Sequence, residues 1–149
     1  MKVREIKFRA ISECRGEGWV YGFLRHYARN PHTEKWTIYD PATGIETDIV
    51  EDTIGQFTGL YDKNGKEIYE GDFVVKERYT EKQECVCRWV ERHACFGFYE
   101  NKEYGETYYF QRCDQPTLVV QGNIHDYPER YDGNEDGSED PYADKRQDT

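Results

Sequence analysis

The chain predicts a mainly β fold, on three observations. Apolar and charged residues alternate at the start: Ile6, Phe8 and Ala10 are interleaved with Lys7 and Arg9, the period of a strand with one buried face. Strand-length runs rich in aromatic and β-branched residues then recur along the chain. Between them lie turn-forming pairs and clusters such as Asn30-Pro31, Asp40-Pro41 and Asn64-Gly65. Short strands so punctuated suggest a small barrel or sandwich.

In order, the first strand covers residues 6–10 and Trp19 to Leu24 (WVYGFL) forms the second. HYARNPHTE, residues 26–34, reads as a turn in which Pro31 stops any ladder. KWTIYD at 35–40 is a third strand, and DPATGIE at 40–46 is another turn. Residues 45–55 form a short strand or one helical turn. Asn64-Gly65 suits a type I′ turn with positive φ at both central residues. Residues 66–69 leave it as a strand with Ile68 inward, and Gly71-Asp72 make a tight turn into FVVKERY at 73–79. CVCRWVERHACFGFY at 85–99 is one bent strand or two short ones. ETYYFQR at 106–112 and TLVVQGNI at 117–124 complete a strand-rich second half.

The chain has 149 residues, enough for one domain with a real core and no obligatory disulfide or metal. Thirteen Tyr, seven Phe and three Trp argue that most of it folds. No apolar run reaches a membrane span, and the N-terminus lacks the apolar region of a signal peptide, so a cytoplasmic setting is expected. Net charge is −10, and the stretch from Tyr131 to Thr149 holds seven acidic residues against two basic. This balance disfavours nucleic-acid phosphates and anionic membranes. Residues 131–149 read as a disordered acidic tail.

Two motifs in the central segment fail as sites. Gly59 and Gly65-Lys66 are separated by five residues and followed by Glu67, which rules out a phosphate loop. Asp62, Asn64 and Glu70 do not match the oxygen spacing of a calcium loop. Structural turns carried by Asn64, Gly65, Gly71 and Asp72 fit better.

Five cysteines, an odd count, provide no disulfide framework. Cys85, Cys87, His93 and Cys95 are a candidate zinc set if a hairpin brings two same-face pairs together, with Cys113 spare. The competing role is as small buried hydrophobes. His26, His32, His93 and His125 show no local pairing that would activate a cysteine, so no catalytic residue is assigned. Arg88, Arg92, Tyr108 and Arg112 are a candidate binding surface, because basic and aromatic residues interleave there as in single-strand binders. The alternative is that the aromatics of this region, Trp89, Phe96, Phe98, Tyr99, Tyr104, Tyr109 and Phe110 among them, fill the core.

Three blocks resemble the YopX-like family of phage and prophage proteins: REIKFRA at 4–10, QFTGLYDKNGKEIYEGDFV at 56–74 and VVQGNIHDYPE at 119–129. The resemblance implies a YopX-like domain over residues 1–130. It would hold a β-rich (α+β) N-terminal extension to about residue 55 and an SH3-like barrel over about 56–130. It implies no enzymatic activity and no cofactor. The function expected is a phage-derived interaction module whose partner is a host or phage protein. Homo-oligomerisation through open edge strands is a variant. The alternatives are a nucleic-acid role, as a single-strand binder or an acidic DNA mimic, and a small structural zinc domain. The Cys85–Cys95 cluster, the tail and His125-Asp126-Tyr127 depart from the family's usual pattern.

Overall fold

The computed structural model describes residues 1–28, 34–78, 81–100, 107–109 and 117–131. The acidic tail beyond Tyr131, Arg112 and Cys113 lie outside these residues. The described part is built from antiparallel strands and single 3-10 turns, with no α-helix among the described residues.

The first sheet holds β1 (Phe8–Ile11), β2 (Trp19–Ala28), β3 (Glu34–Asp40), β4 (Ile45–Asp48), β5 (Gly55–Tyr61) and β6 (Glu67–Tyr69) in the order β4-β3-β2-β1-β5-β6. β2 runs four residues further than sequence patterning indicates. His26, Tyr27 and Ala28 pair with Trp36, Lys35 and Glu34, and the His26 ring stacks on Trp36 at 4.1 Å. Cross-strand packing here overrides the local turn preference. The span 45–55 contains both expected elements: β4, then a 3-10 turn at Glu51–Thr53. An isolated Ser12–Ile49 bridge curls the chain after β4 back onto the end of β1. Ala10, Ile38 and Ile49 are buried inside this roll, with Phe8, Val20, Leu24, Trp36 and Ile54 packed around them.

The second sheet holds β7 (Asp72–Arg78), β8 (Glu81–Val90), β9 (Cys95–Glu100), β10 (Thr107–Tyr109) and β11 (Leu118–Asn123) in the order β10-β9-β8-β7-β11. The 85–99 stretch is thus two strands, turned by a 3-10 segment at Glu91–His93 and by Ala94 at φ 49°. Ile68 from β6 enters this sheet's core beside Val74, Cys85, Cys87, Phe98, Leu118 and Val120.

The expected closed barrel is corrected to two open sheets among the described residues. β5 pairs with β1 and β6, and β6, the end strand of the first sheet, pairs with β5 alone; β10 and β11 are the two end strands of the second sheet and, among the described residues, do not pair with each other or with β6.

The turn at 62–65 is also corrected. Gly65 is left-handed (φ 81°), whereas Asn64 is not among the residues with positive φ. Asp62 N–H donates to the Lys66 carbonyl at 2.7 Å, and Gly65 N–H to the Asp62 carbonyl at 3.0 Å. This is a three-residue hairpin loop ending on a left-handed glycine, which needs one positive φ rather than two. The Asp62 carboxylate holds it: Oδ1 accepts from Asn64 N–H (2.8 Å) and Lys66 N–H (2.9 Å). Oδ2 accepts from Val120 N–H of β11 at 3.0 Å, while Lys63 N–H donates to the Leu118 carbonyl. The hairpin tip therefore caps the outer edge of the second sheet, one way proteins protect exposed strand edges.

Candidate functional site

The predicted zinc set does not assemble. The β8–β9 register pairs Cys87 with Phe98 and Cys95 with Val90. Directly paired residues share a face and successive residues change face; Cys95 is paired with Val90, which lies on the face opposite Cys85 and Cys87, so Cys95 points away from them. Cys85 and Cys87 are buried in the core, and burial pushes the Cys87 thiol well above its ordinary value. His93 is exposed on the 3-10 turn. Among the described residues no group of three or more His, Cys, Asp or Glu is placed to hold a metal ion.

The predicted aromatic surface divides. Phe98 is core, while Trp89 is 43% exposed and meets Phe96 edge-on at 5.1 Å. The Arg88 guanidinium lies over the Tyr131 ring at 4.6 Å. Arg92 lies on the 3-10 turn and Tyr108 in β10, where the backbone pairs it with Phe98. Arg112 lies outside the described residues.

The densest polar arrangement is elsewhere, where the two cores meet. Arg9, assigned by alternation to the solvent face of β1, is only 6% exposed. The reason is tertiary: Trp19 and Tyr69 cover the two faces of its guanidinium at 4.6 and 4.8 Å. Its NH2 group donates to Asp72 Oδ1 at 2.6 Å. Its Nε is buried without a hydrogen-bond partner among the described residues. Asp72 is 1% exposed, and its Oδ2 accepts from Tyr69 N–H at 2.8 Å. Burial raises the Asp72 carboxyl above its ordinary value, although Arg9 opposes the rise.

Gly71, the corner before Asp72, is left-handed at φ 87°. Its N–H donates to the Cys87 carbonyl (2.7 Å), and its carbonyl accepts from Ile124 N–H (3.0 Å). The turn therefore binds β8 on one side and the residues after β11 on the other. There the Asn123 side chain shapes the next turn: Oδ1 accepts from the N–H groups of His125 and Asp126, and Nδ2 donates to Asp126. Asp126 in turn accepts from the Trp19 indole N–H at 3.2 Å, and the His125 ring tilts against Trp19 at 5.8 Å. Burial and the nearby Arg9 charge lower the His125 pKa.

Of the predicted turn residues, Gly65, Gly71 and Asp72 thus hold the joints of the fold, and Asn64 serves as a backbone donor. Arg9, Trp19 and His125 were not legible as a group. They come from three separate segments of the chain, and the only hint is a charge inside a short alternating strand.

A second arrangement lies on the outer face of β2, β3 and β4. Tyr21, Phe23 and Tyr27 are 47%, 50% and 40% exposed. Glu46 anchors this face, accepting from the hydroxyls of Thr37 (2.6 Å) and Tyr27 (2.7 Å) and from Arg25 (3.3 Å). These bonds, Thr37 foremost, lower its pKa. The Arg25 guanidinium lies over the Tyr39 ring at 4.3 Å, and Lys35 pairs with Asp48 at 2.7 Å.

No helix among the described residues is long and apolar enough to cross a membrane. Among solved structures, the chain is similar to the crystal structure of protein EF1440 from Enterococcus faecalis, at 22% identity over 85% of this chain and 98% of that one, with a TM-score of 0.45. A search of curated proteins found no match. The model of the family described as YopX protein matches residues 7–132, which take in the Arg9–Asp72 pair, the Asp62 hairpin and the His125 turn, and the chain belongs to that family.

Proposed function

We propose that this YopX-family chain is a non-enzymatic interaction module of phage or prophage origin, acting in the cytoplasm by binding a host or phage protein. The observation that supports this reading is the exposed aromatic row Tyr21, Phe23 and Tyr27 on β2. Large rings held outward on a rigid sheet suit protein contact, where aromatic side chains are enriched. Glu46 holds Tyr27 and Arg25 in place before any partner arrives, which lowers the cost of ordering them on binding.

The chemistry of the face selects the partner class. Arg25 and Lys35 are each paired with a carboxylate of β4, so the face offers rings rather than unspent positive charge. That disfavours a phosphate polymer. The three partly exposed rings supply on the order of 300 Å² of contact, given about 150–250 Å² for a whole aromatic side chain. This is well below the roughly 800 Å² per partner of a standard interface, so a second copy docked on this row alone is disfavoured. A short, extended, apolar segment of a different protein fits better.

The test is affinity capture from host and phage-infected lysates with the whole chain, with Tyr21→Ser/Phe23→Ser in parallel. Partners retained by the wild type and by Trp89→Ser, but lost from the double variant, support the proposal. Capture unaffected by the double variant overturns it.

A further inference from the structure

We propose that Trp19, His125 and the Arg9–Asp72 pair form an acid-releasable latch between the β1–β4 roll and the rest of the chain. The roll has its own buried cluster, and the second sheet has another. The ladder that joins them is short: Phe8 with Gln56 and Arg9 with Gly55, plus the Phe57 N–H to Lys7 carbonyl bond at 2.9 Å. Side chains supply much of the remaining joint. Arg9 and Trp19 reach out from the roll; Asp72, His125 and Asp126 reach back from the other side. Tyr21 against Tyr69, with rings 5.7 Å apart, and the Lys7–Glu67 ion pair lie alongside.

His125 is the group in this joint whose ordinary titration range lies nearest neutral pH. Its surroundings are Trp19 from β2, Arg9 from β1, the Gly71 corner with Glu70 and Asp72, Asp126 in its own turn, and Asp52 from the 3-10 turn after β4. Burial and, after it, Arg9 oppose an imidazolium there; Asp126 and Asp52 favour one, and the balance is against it. A histidine whose folded pKa lies below its unfolded value binds more protons when released. Its contribution to the joint is therefore whole above the unfolded value of 6.5 and is lost as pH falls through the folded pKa. Asp72 works in the other direction. Its raised pKa means that it takes up a proton more readily in the folded state, so its own titration makes acid favourable. Acid release would thus be the work of His125.

Two measurements on the full chain test the latch. NMR titration of the histidine rings gives the His125 midpoint directly. Amide exchange, corrected for the intrinsic effect of pH, gives the opening equilibrium of the Phe57 N–H, with β7 and β8 amides as the internal reference. A His125 midpoint below about 6.5 is expected. Phe57 opening should increase between pH 7 and 5 by up to about tenfold per pH unit, the limit for one linked proton, while the reference amides change less. His125→Gln should flatten that slope. A His125 midpoint at or above the ordinary value, or Phe57 opening that follows the reference amides, would overturn the proposal; so would a His125→Gln chain that keeps the slope. If the variant fails to fold, the two wild-type measurements still decide.

Discussion

Replacing Arg9 with Met leaves Asp72 as a carboxylate that is 1% exposed and has lost its counter-charge. Removing one partner of a buried ion pair typically costs about 3–5 kcal/mol, because the remaining charge is desolvated without compensation. The cost here should not fall much below that range, because two other features go with the charge. The guanidinium fills the gap between Trp19 and Tyr69, which a Met side chain fills only in part. Asp72 keeps one neutral donor at hydrogen-bond distance, the Tyr69 N–H, which stabilises the lone carboxylate only in part. Urea unfolding followed by tryptophan fluorescence should show the midpoint falling by about 1.5–2.5 M, at a slope near 2 kcal/mol per M. The pH response makes the prediction sharper. Without Arg9 the main opposition to burial is gone and only the Tyr69 N–H and the Lys66 charge remain, so the folded Asp72 pKa rises further above its unfolded value. Between those two values the folded state holds more protons, so stability falls as pH rises and returns on acidification. Arg9→Met should therefore be more stable at pH 5 than at pH 7, relative to wild type. Arg9→Met/Asp72→Leu, which removes both charges, should recover part of the loss. A single variant within about 1 kcal/mol of wild type at pH 7, or one that does not gain on acidification, would refute the reasoning.

Asp62→Ala removes three backbone hydrogen bonds and leaves the Val120 N–H buried without its acceptor, so a loss of about 3 kcal/mol is expected in the same urea assay. Gly71→Ala places a Cβ at an ordinary 3.5 Å from Ile124 but forces a left-handed conformation, so its cost should be backbone strain of about 1–2 kcal/mol, measured by thermal unfolding. In the native protein Cys14, which is exposed, should react with a thiol reagent at once, whereas Cys85 and Cys87 should stay protected until urea unfolds the chain, as read by mass spectrometry of the labelled peptides.

Much of the strand content was legible because it rests on local rules. Alternation marked β1, the aromatic run marked β2, and glycine at 65 and 71 marked two corners where a residue with a Cβ is strained. What local rules could not reach was the other side of each strand. Arg9 sits at an outward position of its alternating pattern, yet a second layer covers it. The turn at 62–65 was placed correctly but its type was not, because an Asp62 side chain that bonds Asn64, Lys66 and Val120 decides the loop geometry. Cys85, Cys87 and Cys95 looked close in sequence; a one-residue difference in strand parity sends Cys95 to the opposite face.

By itself the sequence determined the class of fold, the family, the position of the corners and the absence of a phosphate-loop or calcium-loop pattern. These depend on residue types at short separations, where backbone conformation and side-chain period are set by neighbours. Only the tertiary structure decided that β5 and β6 extend the first sheet, that Arg9 and Asp72 meet 63 residues apart, and that His125 packs against Trp19. Those outcomes depend on which surfaces bury one another, and contacts between distant segments leave no period in the chain from which to read them.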